Sequence, residues 1–400
     1  MTLQSCLRVL FLAPAVVLGM AVLGHAADDG FPKFREVVID DHCGNICYAV
    51  TVADVDGDGL QDIVAVTENR VLWYQAPGWE QRTIIEDQTA RDNVCIAPFD
   101  IDGDGNIDFA LGAGWTKTGT VQWLSRRKSL DKKWRVYLVE HESWLHRMRF
   151  ADVLGTGKAQ LVVSPLNRTV GDGVRLTAFE IPDDPRGEPW PATVLDETLN
   201  SMHNHWHTDF DSDGLIDTLT ASREGVHLIR STTEGWSKIQ ISEGCQDEQP
   251  MKCGAGEIKV GRLAGGRNFI ATVEPMHGTS AVVYTQDDSN DGSWQRHVID
   301  ETLQRGHAVW AANLDADESD ELIIGHSKPG TGAIEQPGLY VFDAQDQAGT
   351  QWTKHVLDAG GVAVEDAIAA DLTGDGRVDI VAGGRDTHNI KLYVNLGPAE

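Results

Sequence analysis

Basic residues are scarce in this chain, which has 33 Lys and Arg against 61 Asp and Glu and a formal net charge of −28. So acidic a surface repels a phosphate backbone, and nucleic acid is therefore an unfavourable partner. No serine or cysteine stands in a recognisable nucleophile arrangement, and no glycine-rich phosphate loop opens a helix. These absences argue against triad hydrolases and against nucleotide-binding proteins.

Long apolar runs are absent after the N-terminus. The segment from Val9 to Leu23 is apolar, follows Arg8, and precedes the small-residue sequence GHA. This pattern predicts an export signal over residues 1–26, and its apolar run is shorter than the roughly 20 residues of a membrane-spanning helix. We therefore expect a secreted or periplasmic protein without a membrane span, whose mature chain is residues 27–400.

Cysteines are also few, and five follow the predicted signal. Cys245 and Cys253 belong to one loop and could form a disulfide under oxidising conditions. Cys43, Cys47 and Cys95 could give one disulfide and one free thiol. The sequence leaves these pairings open.

One short pattern recurs along the chain at intervals of 46 to 58 residues. Clear copies read ADVDGDGLQDIVAV, FDIDGDGNIDFALG, TDFDSDGLIDTLTA, ANLDADESDELIIG and ADLTGDGRVDIVAG, and two weaker copies fill the gaps. The seven copies align on Asp54, Asp100, Asp152, Asp209, Gly261, Asn313 and Asp371. Self-similarity at this period indicates a repeat architecture such as a propeller.

Each repeat predicts four short strands, of which the fourth usually begins with Trp. The last repeat lacks its fourth strand, but a matching segment, FREVVID, stands at residues 34–40, before the first repeat. Pairing of this segment with IKLYVN near the C-terminus would close a ring, which removes exposed sheet edges. We therefore predict an all-β fold for residues 27–400: one seven-bladed β-propeller with four-stranded blades, closed by the N-terminal strand.

In blades one, two and four, acidic residues occupy positions 1, 3, 5 and 9 of the repeat, and a glycine at position 6 permits a tight turn. Blade six has Glu318 in place of the glycine, and blade seven has Thr373 at position 3. Such oxygen ligands suit calcium, because unbound carboxylates packed this closely repel one another; the alternative is a solvated acidic hairpin. The ligands predicted in blades one, two and four are Asp54, Asp56, Asp58, Asp62, Asp100, Asp102, Asp104, Asp108, Asp209, Asp211, Asp213 and Asp217. Those in blades six and seven are Asp315, Asp317, Glu321, Asp371, Asp375 and Asp379. Blades three and five have lost the acids, so we expect packing alone to hold their turns.

The segments DVDGDGLQD, DIDGDGNID, DFDSDGLID and DLTGDGRVD resemble the FG-GAP or VCBS repeats of integrin-α-type β-propellers. The resemblance covers the mature chain and implies both the propeller fold and calcium-binding hairpins. The phenylalanine-glycine-glycine element of the family's name is hardly present, and IVAGG at residues 380–384 is its nearest copy. Because one fold carries many functions, the resemblance says little about activity.

Most histidines lie in segments expected at the face opposite the calcium hairpins. Six residues before the aligned position, three repeats carry histidine, which should form part of a ring at the mouth of the channel. Alternation along a strand also puts His203, His205 and His207 on one side. The residues predicted to form this site are His146, His203, His205, His307, Glu257, Glu365 and Arg147.

Clustered histidines suit a divalent transition metal in addition to calcium. The roles predicted are metal ligand for His203, His205, His307 and Glu257, acid or base for His146 or Glu365, and substrate anchor for Arg147. The alternative is that the histidines only hydrogen-bond across a narrow, wet channel.

A metal, histidines and arginines around a concave mouth suit removal of a proton next to a carbonyl. The repeats are similar to the propeller domain of the aldos-2-ulose dehydratase family, which eliminates water from keto-sugars, and propeller-fold polysaccharide lyases of uronic acids are a neighbouring possibility. These resemblances imply a carbohydrate lyase or dehydratase. The alternative is a non-catalytic propeller that binds a glycan or a protein partner, for which Trp115, Trp144, Trp206 and Trp310 near that face would serve.

Overall fold

The computed structural model describes residues 30–116, 119–168, 171–233, 235–286, 292–328 and 336–398. Within these ranges the chain forms 28 β-strands and a short 3₁₀ turn, Pro250–Lys252. The predicted export signal, residues 1–26, lies outside the described residues. Among the helical segments that are described, none has the length and apolar character needed to cross a membrane.

The strands form seven antiparallel four-stranded sheets, as the repeat predicts. The inner strands of blades one to seven are β2 (Cys47–Ala53), β6 (Asn93–Phe99), β10 (Leu145–Ala151), β14 (Asn204–Thr208), β18 (Glu257–Arg262), β22 (Gly306–Ala312) and β26 (Val364–Ala370). The second strands are β3 (Asp62–Thr67), β7 (Asp108–Ala113), β11 (Gln160–Pro165), β15 (Asp217–Ser222), β19 (Asn268–Glu274), β23 (Glu321–His326) and β27 (Asp379–Gly384). The third strands are β4 (Arg70–Gln75), β8 (Thr120–Ser125), β12 (Leu176–Glu180), β16 (Gly225–Thr232), β20 (Ser280–Gln286), β24 (Gly338–Ala344) and β28 (Ile390–Asn395). The outer strands are β5 (Glu80–Glu86), β9 (Arg135–Glu140), β13 (Ala192–Asp196), β17 (Gly235–Ser242), β21 (Trp294–Asp300), β25 (Trp352–Ala359) and β1 (Phe34–Asp40).

The N-terminal strand is the outer strand of blade seven. β1 pairs antiparallel with β28, with Phe34 opposite Asn395. Neighbouring inner strands pack side by side around a channel, and β26 packs beside β2. There the backbone N–H of Val50 donates to the carboxylate of Asp366 over 3.0 Å.

The hydrophobic core is divided among the interfaces between blades. In the described part of the chain, each of seven buried clusters joins two neighbouring sheets, because the middle strands are buried on both faces. Trp73 and Phe109 connect blades one and two, and Tyr74 and Leu392 connect blades one and seven. The core therefore holds the blades together and leaves the channel lining to polar side chains.

A β-bulge interrupts the start of five inner strands. The pairing register skips one residue in each of β2, β6, β10, β22 and β26, namely Tyr48, Val94, His146, His307 and Glu365. In blade four, His203 has the equivalent position just before β14, and its N–H donates to the carbonyl of Ala221 over 3.0 Å. Because a bulge changes the direction of its side chain, these residues turn into one end of the channel.

The five cysteines of the described chain are unpaired. Cys43 and Cys47 are buried between blades one and seven. The Cys253 Sγ atom lies 3.2 Å from the carbonyl oxygen of Asp247 rather than bonding to Cys245. The disulfide considered for this loop is therefore not formed in the structure.

Candidate functional site

An ion pair separates the central channel into two chambers. Arg147 Nη2 lies 2.8 Å from Glu257 Oε1, and the Asn204 amide donates to the other oxygen of Glu257. The smaller cavity, about 130 Å³ and called the histidine chamber, is lined by Tyr48, Trp115, His146, Arg147, His277, Arg305, His307, Glu365 and Arg385, among others. The larger cavity, about 550 Å³ and called the loop-side chamber, lies toward the acidic turns and is lined by Phe99, Arg147, Arg149, Phe150, Trp206, Lys259 and Trp310, among others.

Three buried histidines from different blades converge beside the histidine chamber. One ring nitrogen from each of His146, His203 and His307 lies within 4.8 Å of the other two. His146 Nδ1 donates to the His203 carbonyl over 2.8 Å and His307 Nδ1 to the Glu365 carbonyl over 2.5 Å, because a carbonyl oxygen can only accept. His203 Nδ1 faces Glu257 Oε1 at 2.9 Å. The first two contacts hold the protons of His146 and His307 on Nδ1 and leave their Nε2 lone pairs for a shared ligand.

Burial keeps the clustered imidazoles neutral. Desolvation is the main cause that lowers the pKa of His146, His203 and His307, and neighbouring cationic groups add to it. Burial acts to raise the pKa of Glu257, but Arg147 and His203 outweigh it and lower this pKa to about 2. Neutral imidazoles oriented by an ionised carboxylate are a donor set that transition metals prefer.

A fourth histidine, not selected from the sequence as a site residue, completes the group. His277 lies in the connection between β19 and β20, with its Nε2 atom 3.0 Å from His203 Nε2. Its ring stacks on that of His307, with 4.8 Å between the centroids. Burial, followed by the charge of His203, lowers the pKa of His277 to about 2. Since His277 is outside the group of three that share one point, it is placed for proton transfer rather than as a common ligand.

Two arginines occupy both oxygens of Glu365. Arg305 Nη1 lies 2.8 Å from Oε2, and Arg385 Nη1 lies 2.5 Å from Oε1. Both guanidinium groups are about a quarter exposed in the histidine chamber, whereas Arg147 is buried against Glu257. The roles predicted for Glu365 as a base and for Arg147 as a substrate anchor are therefore corrected: Arg305 and Arg385 are the accessible cations.

His205 does not join the histidine cluster. Its Nδ1 atom lies 2.9 Å from Ser164 Oγ, and its ring packs on His207 with 4.9 Å between the centroids. Because His203 stands at the bulge position, strand alternation does not extend from His205 to it. The predicted ligand set is corrected in two places: His146 takes the place of His205, and Glu257 orients His203.

The four tryptophans expected at one face divide between the two ends of the channel. Trp115 lines the histidine chamber and packs on Trp144, with 5.2 Å between the ring centroids. Trp206 and Trp310 line the loop-side chamber and pack on each other over 5.5 Å. The inner strands run toward the acidic turns, so residues later in each strand lie nearer that end.

The acidic turns bring three carboxylates together in blades one, two and four. Oxygens from positions 1, 3 and 5 lie within 4.8 Å of one another in the sets Asp54, Asp56 and Asp58; Asp100, Asp102 and Asp104; and Asp209, Asp211 and Asp213. Blade six forms a similar set from Asp315, Asp317 and Glu321. The described residues of blade seven form no such set, since Asp375 pairs with Arg377 and is not gathered with Asp371 and Asp379.

Carboxylates at position 9 support the turns from inside. Asp62 accepts the backbone N–H groups of Val55 over 3.0 Å and of Ala76 over 2.7 Å. Asp217 and Asp379 are buried in the same way. Burial raises the pKa of Asp62 to about 6, that of Asp108 to about 7 and that of Glu321 to about 8. These acids therefore support the backbone, and Glu321 alone is grouped with the clustered oxygens of the described turns.

Two carboxylate oxygens in the turns are buried without a donor among the described residues, namely Asp102 Oδ1 and Glu321 Oε1. An unpaired buried carboxylate oxygen is costly, because it has lost its hydration. A hard cation coordinated by such oxygens would remove that cost. The turns of blades two and six thus fit calcium by their chemistry as well as by their spacing.

Blades three and five hold their turns by hydrogen bonds, which corrects the expectation of packing alone. In blade three, Gln160 Oε1 accepts the N–H of Leu154 over 3.0 Å, and its Nε2 donates to Thr156 Oγ1 over 3.0 Å. In blade five, the N–H of Leu263 donates to the carbonyl of Arg267 over 2.8 Å. In blade three the Asp152 carboxylate still accepts the N–H of Thr156 over 2.8 Å, and the Gln160 amide replaces the acid at position 9. In blade five a backbone hydrogen bond replaces the carboxylates.

Fold and repeat together define the class, a seven-bladed β-propeller with FG-GAP-like repeats. A family model for the FG-GAP-like repeat matches residues 54–111, and a model for the β-propeller domain of aldos-2-ulose dehydratase matches residues 118–287. Aldos-2-ulose dehydratase of Phanerodontia chrysosporium is 24% identical over 262 residues, which cover 60% of this chain and 29% of that protein. These matches confirm both resemblances, while the chain spans less than a third of that relative.

The fold is also shared with a solved structure of low sequence identity. The crystal structure of BBS1N in complex with ARL6DN, soaked with lead, has a TM-score of 0.55 to this chain. The likeness covers 91% of this chain and 97% of the other at 12% identity. At this identity it shows the propeller fold alone.

Proposed function

We propose that this chain is an exported, calcium-binding propeller whose histidine chamber catalyses β-elimination on a keto-sugar or a uronic acid, as a carbon–oxygen lyase. The observation that carries the proposal is the convergence of His146, His203 and His307 with His277 beside them. Similarity to the propeller domain of aldos-2-ulose dehydratase favours loss of water from a keto-sugar.

The three clustered imidazoles fit a divalent transition metal. His146, His203 and His307 would hold it through Nε2, and the bound metal would supply a Lewis acid for negative charge on a carbonyl oxygen. Glu257 fixes the ring of His203, and Arg147 in turn keeps Glu257 ionised. A carboxylate beside the second ring nitrogen orients a metal-binding histidine in this way.

Substrate contacts and proton transfer fall to residues that line the chamber. Arg305 and Arg385 bind the oxygens of the sugar or its carboxylate, because they are the accessible cations. The neutral imidazole of His277 takes the proton from the carbon next to the carbonyl. The carbon–oxygen bond at the next carbon then breaks, and His277 returns its proton to the leaving oxygen. This oxygen departs as water from a keto-sugar and as the alcohol of the released sugar from an oligouronate.

The acidic turns of blades one, two, four and six are the proposed calcium sites. Their clustered oxygens, the glycine turns and the unpaired buried carboxylate oxygens support this assignment. They lie at the other end of the inner strands from the histidines, so calcium would act on stability rather than on the reaction. The acidic surface of the chain would also be partly neutralised by these ions.

The test measures conjugated product by ultraviolet absorbance with an aldos-2-ulose and, separately, with an oligouronate, together with metal analysis of the purified protein. We expect turnover of one of them and a transition metal that His203→Ala loses while calcium is retained. His277→Gln should keep the metal and lower kcat at least about 100-fold. The matched control His297→Gln, on an outer strand, should change neither.

Calcium as the sole metal in active protein would contradict the metal-dependent reaction, and absence of turnover with either substrate would contradict the lyase. A non-catalytic glycan-binding propeller is the second candidate, favoured by the half-buried aromatic pair of Trp115 and Trp144 at the mouth. Saturable binding of the sugar without turnover, lost in Trp115→Ala, would support that candidate instead.

A further inference from the structure

The loop-side chamber is a second cavity that the proposed reaction does not use. Its volume of about 550 Å³ lies within the range of small-molecule sites, roughly 300–1,000 Å³. The Arg147–Glu257 pair separates it from the histidines. Half-buried apolar side chains from several blades surround it toward the acidic turns, namely Phe99, Phe150, Trp206, Ile216, Trp310 and Ile368. We call these six residues the apolar collar.

Two basic side chains within the chamber lack an acidic partner among the described residues. Lys259 is 3% exposed, and no carboxylate of the described residues lies within ion-pair distance of its amine. Its Nζ atom instead lies 3.9 Å from the ring centre of Trp206 and 4.4 Å from that of Trp310. Arg149 has its guanidinium 5.1 Å from the Trp206 ring, and its buried Nη1 atom has no hydrogen-bond acceptor among the described residues.

The acids nearby are already engaged by other groups. Glu257 is paired with Arg147 and receives the Asn204 amide. Asp366 accepts the backbone N–H groups of Val50 over 3.0 Å and of Ala367 over 3.1 Å. Burial and the like charge of Arg147 lower the pKa of Arg149 to about 10, so its guanidinium still carries its charge at neutral pH. Burial and the charge of Arg149 lower the pKa of Lys259 well below its usual value. The chamber thus places the charged guanidinium of Arg149 beside the amine of Lys259, and neither group has an ion-pair partner among the described residues.

Aromatic faces compensate this charge only in part. A cation–π contact stabilises a desolvated cation by less than its burial costs. An anion would satisfy the free guanidinium N–H and the ammonium with charge-assisted hydrogen bonds. The apolar collar favours an anion that also has an apolar body, because a bare inorganic ion would lose its hydration without covering the collar.

We propose that the loop-side chamber binds a small organic carboxylate with an apolar body, holding the carboxylate between Arg149 and Lys259 and the body against the apolar collar. The site is separate from the proposed reaction, since it contains none of the four clustered histidines. Its ligand approaches the channel from the end that carries the acidic turns. The proposal therefore assigns a different ligand to each end of one channel.

The test is calorimetric titration of the full mature chain with 3-phenylpropanoate, which has a carboxylate and an apolar ring. Two comparison ligands separate these features: 3-phenylpropanamide has the same body without charge, and acetate has the charge without the ring. We expect saturable binding of 3-phenylpropanoate, with each comparison ligand at least about tenfold weaker. Equal binding of the amide, or no binding of 3-phenylpropanoate up to about 10 mM, would overturn the proposal.

Variants locate the binding. Arg149→Met and Lys259→Met should each weaken 3-phenylpropanoate at least about tenfold, because each removes one charge-assisted contact. Lys133→Met, an exposed surface control paired with Glu86, should leave the affinity unchanged. Affinity retained in both chamber variants would contradict the site. His203→Ala should still bind the carboxylate, so the two proposals can fail separately. The comparison of the three ligands uses the wild-type chain, so it tests the proposed site even if a variant does not fold.

Discussion

The turns of blades two and three have the same place in the repeat but are stabilised by different chemistry. In blade two, three carboxylates converge and the Oδ1 atom of Asp102 is buried without a donor among the described residues. In blade three, Gln160 stands where blade two has Asp108, and its amide donates within the turn. The neutral amide of Gln160 thus provides a hydrogen-bond donor inside the blade-three turn. The acid at the same position of blade two provides no donor when it is ionised. We therefore propose that the carboxylate turns require a cation and that the glutamine turn does not.

Chelation should have the largest effect, because it acts on every carboxylate turn at once. Each site occupied at 100 times its Kd contributes about 2.7 kcal/mol, so loss of several sites should lower Tm on the order of 10 °C. Differential scanning calorimetry in calcium and in excess EGTA measures this shift. An unchanged Tm in EGTA would contradict the requirement for a cation.

A matched pair of variants sharpens the comparison to single turns. Asp104→Ala in blade two should remove one calcium per chain and lower Tm by a few degrees in calcium, with little effect in EGTA. Thr156→Ala, at the same position of blade three, should have the same small effect in both buffers because it removes only hydrogen bonds around Gln160. Calcium content and melting curves check both variants. A calcium-dependent effect of Thr156→Ala would break the comparison.

The features predicted correctly from the sequence are those that the repeat encodes locally. The strands and the register of β1 with β28 follow from alternating patterns and from the displaced FREVVID segment. His146, His203 and His307 come together because they have the same position in different repeats. Equivalent positions of the blades lie at the same end of the channel. The proximity of these three histidines could therefore be predicted from the sequence.

The errors arose where contacts between blades or local backbone irregularities decide the outcome. The bulge position of His203 separates it from His205, and no sequence signal marks that change of direction. His277 lies in a connection outside the repeat, where its distance to His203 depends on how blades four and five pack. The role of Gln160 was also not predicted. The sequence shows only that an acid is missing at this position, and the hydrogen bonds of the amide are visible only in the structure.

Acidity should act oppositely on the two turns in calcium-free protein. Burial raises the pKa of Asp108 to about 7, so the folded state binds its proton more tightly than the unfolded state does. The resulting stabilisation is present at low pH and is lost as pH rises through about 7. Hydrogen bonds from Thr156 and Gly157 outweigh the desolvation of Asp152 and lower its pKa, so its contribution is lost as pH falls.

The measurement is Tm in EGTA at about pH 5 and about pH 7.5 for the wild type, Asp108→Asn and Asp152→Asn. At the higher pH, Asp108→Asn should raise Tm above that of the wild type by a few degrees, because it removes the buried charge. At the lower pH, where Asp108 is protonated, the gain should be smaller by that amount. Asp152→Asn should lower Tm by a similar amount at both pH values, because this carboxylate is ionised at both and its contribution is lost only at lower pH. The same slope in both variants would contradict the assigned difference. The neutral buried histidines add a shared loss of stability below about pH 6.5, which cancels between variants.

The smallest effect concerns Arg186, which would compete with a cation bound in blade two. Arg186 donates to Asp102 Oδ2, one of the three clustered carboxylates, and its guanidinium lies 5.0 Å from the Trp123 ring. A partly exposed pair of this kind is worth about 0–1 kcal/mol, so Arg186→Gln should strengthen calcium binding by this turn no more than about fivefold. Calcium titration of the variant against Arg82→Gln, whose partner Asp131 lies outside the turns, measures the change. Weaker binding in Arg186→Gln would mean that the arginine holds Asp102 in place for the cation rather than competing with it.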